Sequence, residues 1–413
     1  MMGSGNGFRI YLGKGKYGRG NRRMSTRRRP FILLLVSTLF ILTMPFSAKA
    51  FLNLDDLKDR EDGAFDLSYS LAEKKGFLPI LMPITEPAIG YGLGGAALFL
   101  HQSIAELQSE AGKTPTGKAR PPSMTAVGGM ATENGSWGFG GGHMGVWAED
   151  RLRYLGGLGG ASVNLSFHGM ANAFGGKGFD YMLKGGGLVQ ELTARLGKTD
   201  FSAGARYTFF RVNSRFDLET KIPGVPEREF TSNNGGLGFI LGYDSRDNIF
   251  TPNRGIHVKV RTTFYGSAFG GDSNYQKIEG FAIGYLDLHP KVVLGLRLDG
   301  RFSSGQVPFY ALPFIDLRGV PVMRYQGKDA VVAEVEARWS FYRRWSAVGF
   351  LGAGTVITKF DQLDRRPNVY SQGVGIRYRI ARLFGLDAGI DVAHSSGEWA
   401  VYIQVGSAWA RSL

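Results

Sequence analysis

The chain has 413 residues, 61 of them glycine and none cysteine, with 43% hydrophobic and 13% aromatic content. No Gly-X-Y period is present, so collagen is excluded; apolar and aromatic residues run throughout, which excludes disorder, and the lack of cysteine excludes disulfides and thiolate metal sites. The formal charge of +14 suggests nucleic-acid binding only until it is located: residues 1–50 carry ten Lys or Arg and no acid, and the remaining 363 hold 39 basic against 35 acidic groups, leaving no basic footprint for nucleic acid.

In chain order, Arg27, Arg28 and Arg29 come first, then the apolar run Phe31–Leu42, then Ala48-Lys49-Ala50 with small residues at A-x-A spacing. This is the layout of a secretory signal peptide, so residues 1–50 are expected to be removed after Ala50, with Met24 an alternative start. No later stretch supplies the about 18 uninterrupted apolar residues of a membrane helix. If the chain crosses a membrane, its backbone polar groups must be satisfied in a closed β-barrel.

Residues 51–85 read as a short periplasmic segment with a weak strand candidate within Phe65–Ile84, and 86–413 as the barrel. Within the strand at 86–99, Gly90-Tyr91-Gly92-Leu93-Gly94-Gly95 has dinucleotide-loop spacing but opens no helix, so it reads as strand. The polar, proline-bearing segment His101–Pro122 reads as a flexible loop with a helical turn at Ile104–Glu110. From Ala148 onward, short links alternate with long ones around 168–178, 214–234, 266–274, 304–330 and 358–369, the arrangement of periplasmic turns and extracellular loops.

The strands alternate with period two. Ile256, Val258 and Val260 oppose His257, Lys259 and Arg261; Val331, Val335 and Trp339 oppose Glu334, Glu336 and Arg338. At the C-terminal end Trp399, Val401, Ile403, Val405 and Trp409 oppose Ala400, Tyr402 and Gln404. One face suits lipid and the other a polar lumen. A soluble sandwich alternates too, but strands of about ten residues, terminal aromatics and an export signal favour the membrane barrel. Fifteen strands read clearly, and an even count makes sixteen. The expected fold is an all-β, transmembrane antiparallel barrel with a long loop folded inward.

At 243–255 the chain reads YDSRDNIFTPNRG, which resembles the strand-turn-strand signature of the bacterial surface antigen superfamily of outer-membrane barrels, the family of the barrel-assembly insertase and the two-partner secretion transporters. The resemblance continues through LRGVPVMRYQG at 317–327, VVAEVEARW at 331–339 and the last three strands, and EPAIGYGLGGAALF at 86–99 is similar to the family's first strand. On their own residues, Asp244, Arg246, Asp247, Pro252 and Gly255 dictate a tight turn with local charge pairing, a structural hairpin. The resemblance implies more for the long loop: an Arg-Gly-aromatic motif that folds into the barrel and meets acids on the inner wall. Here that motif is Arg318 and Gly319, with Val320 where the family prefers Phe or Tyr, and the implied partners are Glu334, Glu336, Asp387 and Asp391. Residues 51–85 are too few for the family's periplasmic polypeptide-transport-associated domain, and Trp409 is followed by four more residues where such barrels usually end on the aromatic.

The functional expectation is insertion, assembly or translocation of polypeptide or lipid at a Gram-negative outer membrane. Its partners are outer-membrane lipid, unfolded polypeptide clients and periplasmic proteins, with no cofactor and no enzyme activity. Two alternatives stand beside it: a passive channel, and an outer-membrane phospholipase using His394 beside Ser395 and Ser396.

Overall fold

A computed structural model describes residues 57–69, 76–86, 88–117, 120–167, 179–216, 228–357 and 368–409. The leader and the loop regions 168–178 and 358–367 lie outside them. The strands are β1 (Gly76–Glu86), β2 (Gly90–Leu100), β3 (Met124–Thr132), β4 (Trp137–Trp147), β5 (Leu152–Phe167), β6 (Phe179–Arg195), β7 (Phe201–Phe216), β8 (Arg228–Asp244), β9 (Gly255–Tyr265), β10 (Tyr275–His289), β11 (Val292–Gly305), β12 (Asp329–Tyr342), β13 (Trp345–Ile357), β14 (Asn368–Ala381), β15 (Leu386–Ser395) and β16 (Glu398–Val405). They form one 16-stranded sheet in sequence order, each strand antiparallel to the next, as the alternation predicts. Among the described residues no ladder joins β1 to β16. A side-chain hydrogen bond from Thr85 Oγ1 to the Val401 carbonyl bridges them.

The two faces separate as period two requires. Leu158, Val374 and Val405 face outward and are largely exposed, whereas Ile283, Val332 and Asp391 on the other face are buried. An outer surface set with Leu, Val, Phe and Trp is costly in water and favourable in hydrocarbon. Register shifts fall at Asp287/His289, Ser340/Tyr342 and Arg379/Ala381, each beside a short turn, where an extra residue bends a strand at the rim.

One expectation holds and two are corrected. The link at 101–122 carries its expected helical turn as a short helix, α1 (Ile104–Ser109). Ser103 and Glu106 cap that helix reciprocally, the Glu106 N–H donating to Ser103 Oγ at 3.3 Å and the Ser103 N–H to Glu106 Oε2 at 3.2 Å, and Leu107 buries its side chain. Strands β7 and β8 extend into 214–234 from both sides, to Phe216 and from Arg228, and polar side chains pair across them there, as Asn213 does with Thr231 at 3.1 Å; 217–227 lie outside the described residues. Trp409 is not on the lipid face. Strand β16 ends at Val405, Gly406 turns at φ +78, and the chain enters the lumen, where Trp409 packs on Ile283 and Tyr285.

Candidate functional site

Between β11 and β12, residues 306–328 fold into the lumen as a narrow finger. Its two limbs are tied by an isolated bridge between Phe314 and Gln326, by the Ile315 N–H to the Tyr325 carbonyl at 3.0 Å and by the Gly327 N–H to the Pro313 carbonyl at 2.9 Å. Ile315, Leu317 and Val320 drive the docking, since they bury against Val332, Val356 and Val369 of the wall. Val320, which replaces the family's aromatic, is thereby an apolar anchor. Gly319 sits at φ +85, and a Cβ there would lie 3.2 Å from Ala393 Cβ, so the tip reaches the wall because it carries no side chain.

This places Arg318 among three of the four expected carboxylates. Its Nε donates to Glu334 Oε1 at 2.7 Å and its Nη1 to Asp391 Oδ2 at 2.9 Å, while Nη2 also bonds Glu334. Glu336 Oε2 is 2.7 Å from Nη1 but outside hydrogen-bonding geometry, so that contact is ionic only. The guanidinium lies over Phe350, with Cζ 3.5 Å from the ring centroid. Backbone contacts finish the dock: the Gly319 N–H donates to Tyr402 Oη at 2.9 Å and Ser371 Oγ donates to the Arg318 carbonyl.

Asp387 is the correction. It faces inward but pairs with Arg379 at 2.8 Å, and its own N–H donates to Thr251 Oγ1 at 3.2 Å. The cross-strand register sets Asp387 opposite Arg379 and Asp391 opposite Gly375, so Asp387 lies four residues along β15, about 13 Å, nearer the short-turn rim. Alternation gives the face of a residue and not its height.

Sequence reasoning missed the cations that hold these acids. Arg297 donates from Nη1 to Glu334 Oε2 at 3.0 Å and also binds Asp299, and Arg377 grips Asp391 with two bonds of 2.6 and 2.9 Å. Both arginines alternate inward, a signal that was legible but carried no partner. The result is a buried network in which Glu334 and Asp391 are each bonded from two sides, which is what an ionised acid away from water requires.

The signature at 243–255 does more than form a hairpin. Arg246 does pair Asp244, at 2.8 and 2.7 Å, and Asp247 Oδ1 accepts the Asn253 and Arg254 N–H groups at 3.0 and 3.3 Å. Gly255 adopts φ +99. Yet the turn also crosses the mouth of the barrel: the Pro252 carbonyl accepts from Arg338 on β12 at 3.0 Å, Asn248 donates to the Phe384 carbonyl at 2.7 Å, and Thr251 receives Asp387.

A second ionic cluster, absent from the sequence reading, closes the same end. Arg344, in the β12–β13 turn, binds Asp59, Asp62 at 2.9 Å and Asp66 at 2.5 Å, while Arg382, after β14, binds Asp59 at 2.6 Å and Glu61 at 2.8 Å. Leu67 packs with Ala381, Phe384 and Phe250. The Arg382 bond, and then the Glu61 N–H, hold the Asp59 carboxyl down at about 2.

The phospholipase constellation does not assemble. The His394 ring packs beside Trp399, 4.7 Å between centroids, whereas Ser395 faces the other side of β15 and donates to the Tyr370 carbonyl at 2.7 Å. Ser396 is in the following turn at φ +50.

An Omp85 superfamily domain matches residues 160–317, the family type expected from the turn signature. Among solved structures, BamA from Haemophilus ducreyi lacking POTRA domains 1–3 superposes with a TM-score of 0.53 at 14% identity, covering 80% of this chain and 69% of that one. CdiB from Escherichia coli gives 0.56 at 11% identity, covering 81% and 62%, and CdiB from Acinetobacter baumannii gives 0.52 at 8%, covering 80% and 59%. The chain therefore spans about three fifths to two thirds of the length of these relatives in fold. No curated protein sequence matches. Barrel, domain and apolar outer face together make this a protein of the Gram-negative outer membrane.

Proposed function

We propose that this chain, an outer-membrane barrel of the Omp85 type by the domain it carries, inserts or translocates polypeptides by admitting them at the seam between β1 and β16. The supporting observation is the missing ladder at that seam, bridged by the Thr85–Val401 bond. Two facing strand edges without backbone pairing are templates for an incoming strand, and a client that pairs there satisfies its own N–H and C=O groups as it enters lipid. A steady open pore fits less well, because the finger around Arg318 occupies the lumen.

The seam test uses a chain without native cysteine, so introduced thiols have no competitors. Thr85→Cys with Val401→Cys, oxidised in membranes, locks β1 to β16. Cells that depend on this protein should then lose specific barrels from their outer-membrane proteome and regain them on reduction. Full client levels with the seam quantitatively locked would refute the proposal.

A further inference from the structure

The inner wall has two chemically different sides. On β2, β3 and β4 no inward residue is charged, and on β5 and β6 inward charge is confined to Arg153, Glu191 and Arg195 near the short-turn end. The facing wall, from β9 to β15, carries the ion pairs described above. Along the uncharged side runs a chamber of about 1310 Å³, floored by strand glycines such as Gly128, Gly140 and Gly159 and lined by Met130, Leu183 and Phe210. It extends to Ile80 on β1 and Gln404 on β16, at the seam.

Where this chamber ends on β7, the lumen becomes electropositive. Arg206 shares Glu191 with Lys259, at 3.3 and 2.8 Å, and Arg261 shares Glu279 with Lys277, at 2.5 and 3.3 Å. Four cations thus share two carboxylates, and two positive charges in this cluster lack a counter-charge. Between Arg206 and Phe210, on the same face of β7, the buried Thr208 hydroxyl meets the Tyr265 phenol.

We infer that the lumen binds an anionic lipid, with its acyl chain along the glycine-floored wall and its phosphate head against Arg206, Lys259, Arg261 and Lys277. Charge complementarity calls for an anion, and guanidinium groups bind phosphate oxygens in pairs. The chamber calls for hydrocarbon. A polypeptide laid there would bury N–H and C=O groups against strands whose own groups are already paired in ladders, with few side-chain partners, whereas an acyl chain has no such groups to satisfy. The span fits too: Phe210 and Arg206 are four residues apart on one strand, about 13 Å at 3.3 Å per residue. This inference does not rest on strand entry at the seam.

The test is photolabelling of the full chain in phosphatidylethanolamine vesicles carrying a diazirine-acyl phosphatidylglycerol, or the matching phosphatidylcholine. Phosphatidylglycerol should label Met130 and Phe210 several-fold more than phosphatidylcholine does. Ala161→Trp should abolish that lumenal label, and so should Gly138→Leu, whose new side chain starts 3.4 Å from Ala161 Cβ without striking backbone. Arg261→Gln with Lys277→Gln should erase the headgroup preference while acyl labelling persists. Folding of each variant is checked by heat-modifiable gel mobility, and the wild-type map needs no variant. Label confined to outward residues such as Leu93, Val127 and Leu158 overturns the inference. So does equal labelling by the two lipids, or lumenal labelling by a photoreactive unfolded peptide and not by lipid.

Discussion

At the scale of single residues, the lumenal finger depends on Arg318. Three carboxylates meet its guanidinium, and two of them, Glu334 and Asp391, are almost wholly buried. Removing one partner of a buried ionic cluster costs about 3–5 kcal/mol, because the groups left behind keep their charge without compensation. Arg318→Ala should therefore release the finger and expose Ser304–Gly327 to extracellular protease while the barrel stays heat-modifiable. Lysine should rescue poorly, since one ammonium cannot bond Glu334 and Asp391 in two directions and stack on Phe350. Equal protease resistance in wild type and Arg318→Ala would mean that the apolar anchors alone hold the loop. Glu334, Glu336 and Asp391 were legible in the sequence because alternation fixes their face, and Arg318 because the loop motif resembles that of the surface antigen barrels. Phe350, Arg297 and Arg377 were not, since their meeting depends on strand register, which no local pattern encodes.

At the scale of elements, alternation predicts which substitutions a strand tolerates, and register adds depth. Val401 lies mid-strand on the lipid face of β16, whereas Val405 ends the strand at the rim. An arginine should cost about 2–4 kcal/mol at position 401 and about 0–1 kcal/mol at 405, with Gln404→Arg tolerated on the inner face. Urea titrations of the folded gel species rank the three, and a cost at 404 matching that at 401 would invert the assigned faces. The same strand shows where pattern reading stops. Trp409 keeps the period of Val401 and Val405, but Gly406 turns the chain at φ +78 and sends the tryptophan inside.

The packing of 57–69 left no sequence signal, because it comes from Arg344 and Arg382, about three hundred residues away. Its docking should depend on pH in a definite direction. The Asp59 carboxyl, normally at 3.8, is lowered to about 2, so its contribution to docking is complete above about 3.8 and is lost as pH falls toward 2. Hydrogen exchange at 57–69 should stay slow through pH 5 and accelerate below 4, and Asp59→Asn should make it fast throughout. Docking lost already near pH 6 would point to a histidine instead.

At the scale of the whole molecule, the lumen is closed twice. Toward the long loops, the finger at 306–328 is fixed by Arg318. Toward the short turns, three segments converge: the crossing turn at 245–254, the inward tail at Ser407–Trp409 and the acidic segment bound to Arg344 and Arg382. Gly406 and Ser407 tie the tail to this closure, through their N–H bonds to the Asp387 and Phe250 carbonyls at 2.7 and 2.6 Å. Closures in series behave as resistances in series, so opening one leaves the other in control. Wild-type protein in planar bilayers should give no large steady conductance, and Arg318→Ala should add only brief openings. Asp59→Asn with Asp66→Asn should do no more, because the tail and the crossing turn remain. Only Arg318→Ala combined with removal of 57–69, Trp409→Gly and Arg338→Ala, which unties the crossing turn from β12, should conduct steadily. A large wild-type conductance would favour the passive-channel reading, whereas full conductance from Arg318→Ala alone would show that the short-turn end is already open and that its ionic cluster serves only to anchor the N-terminal segment.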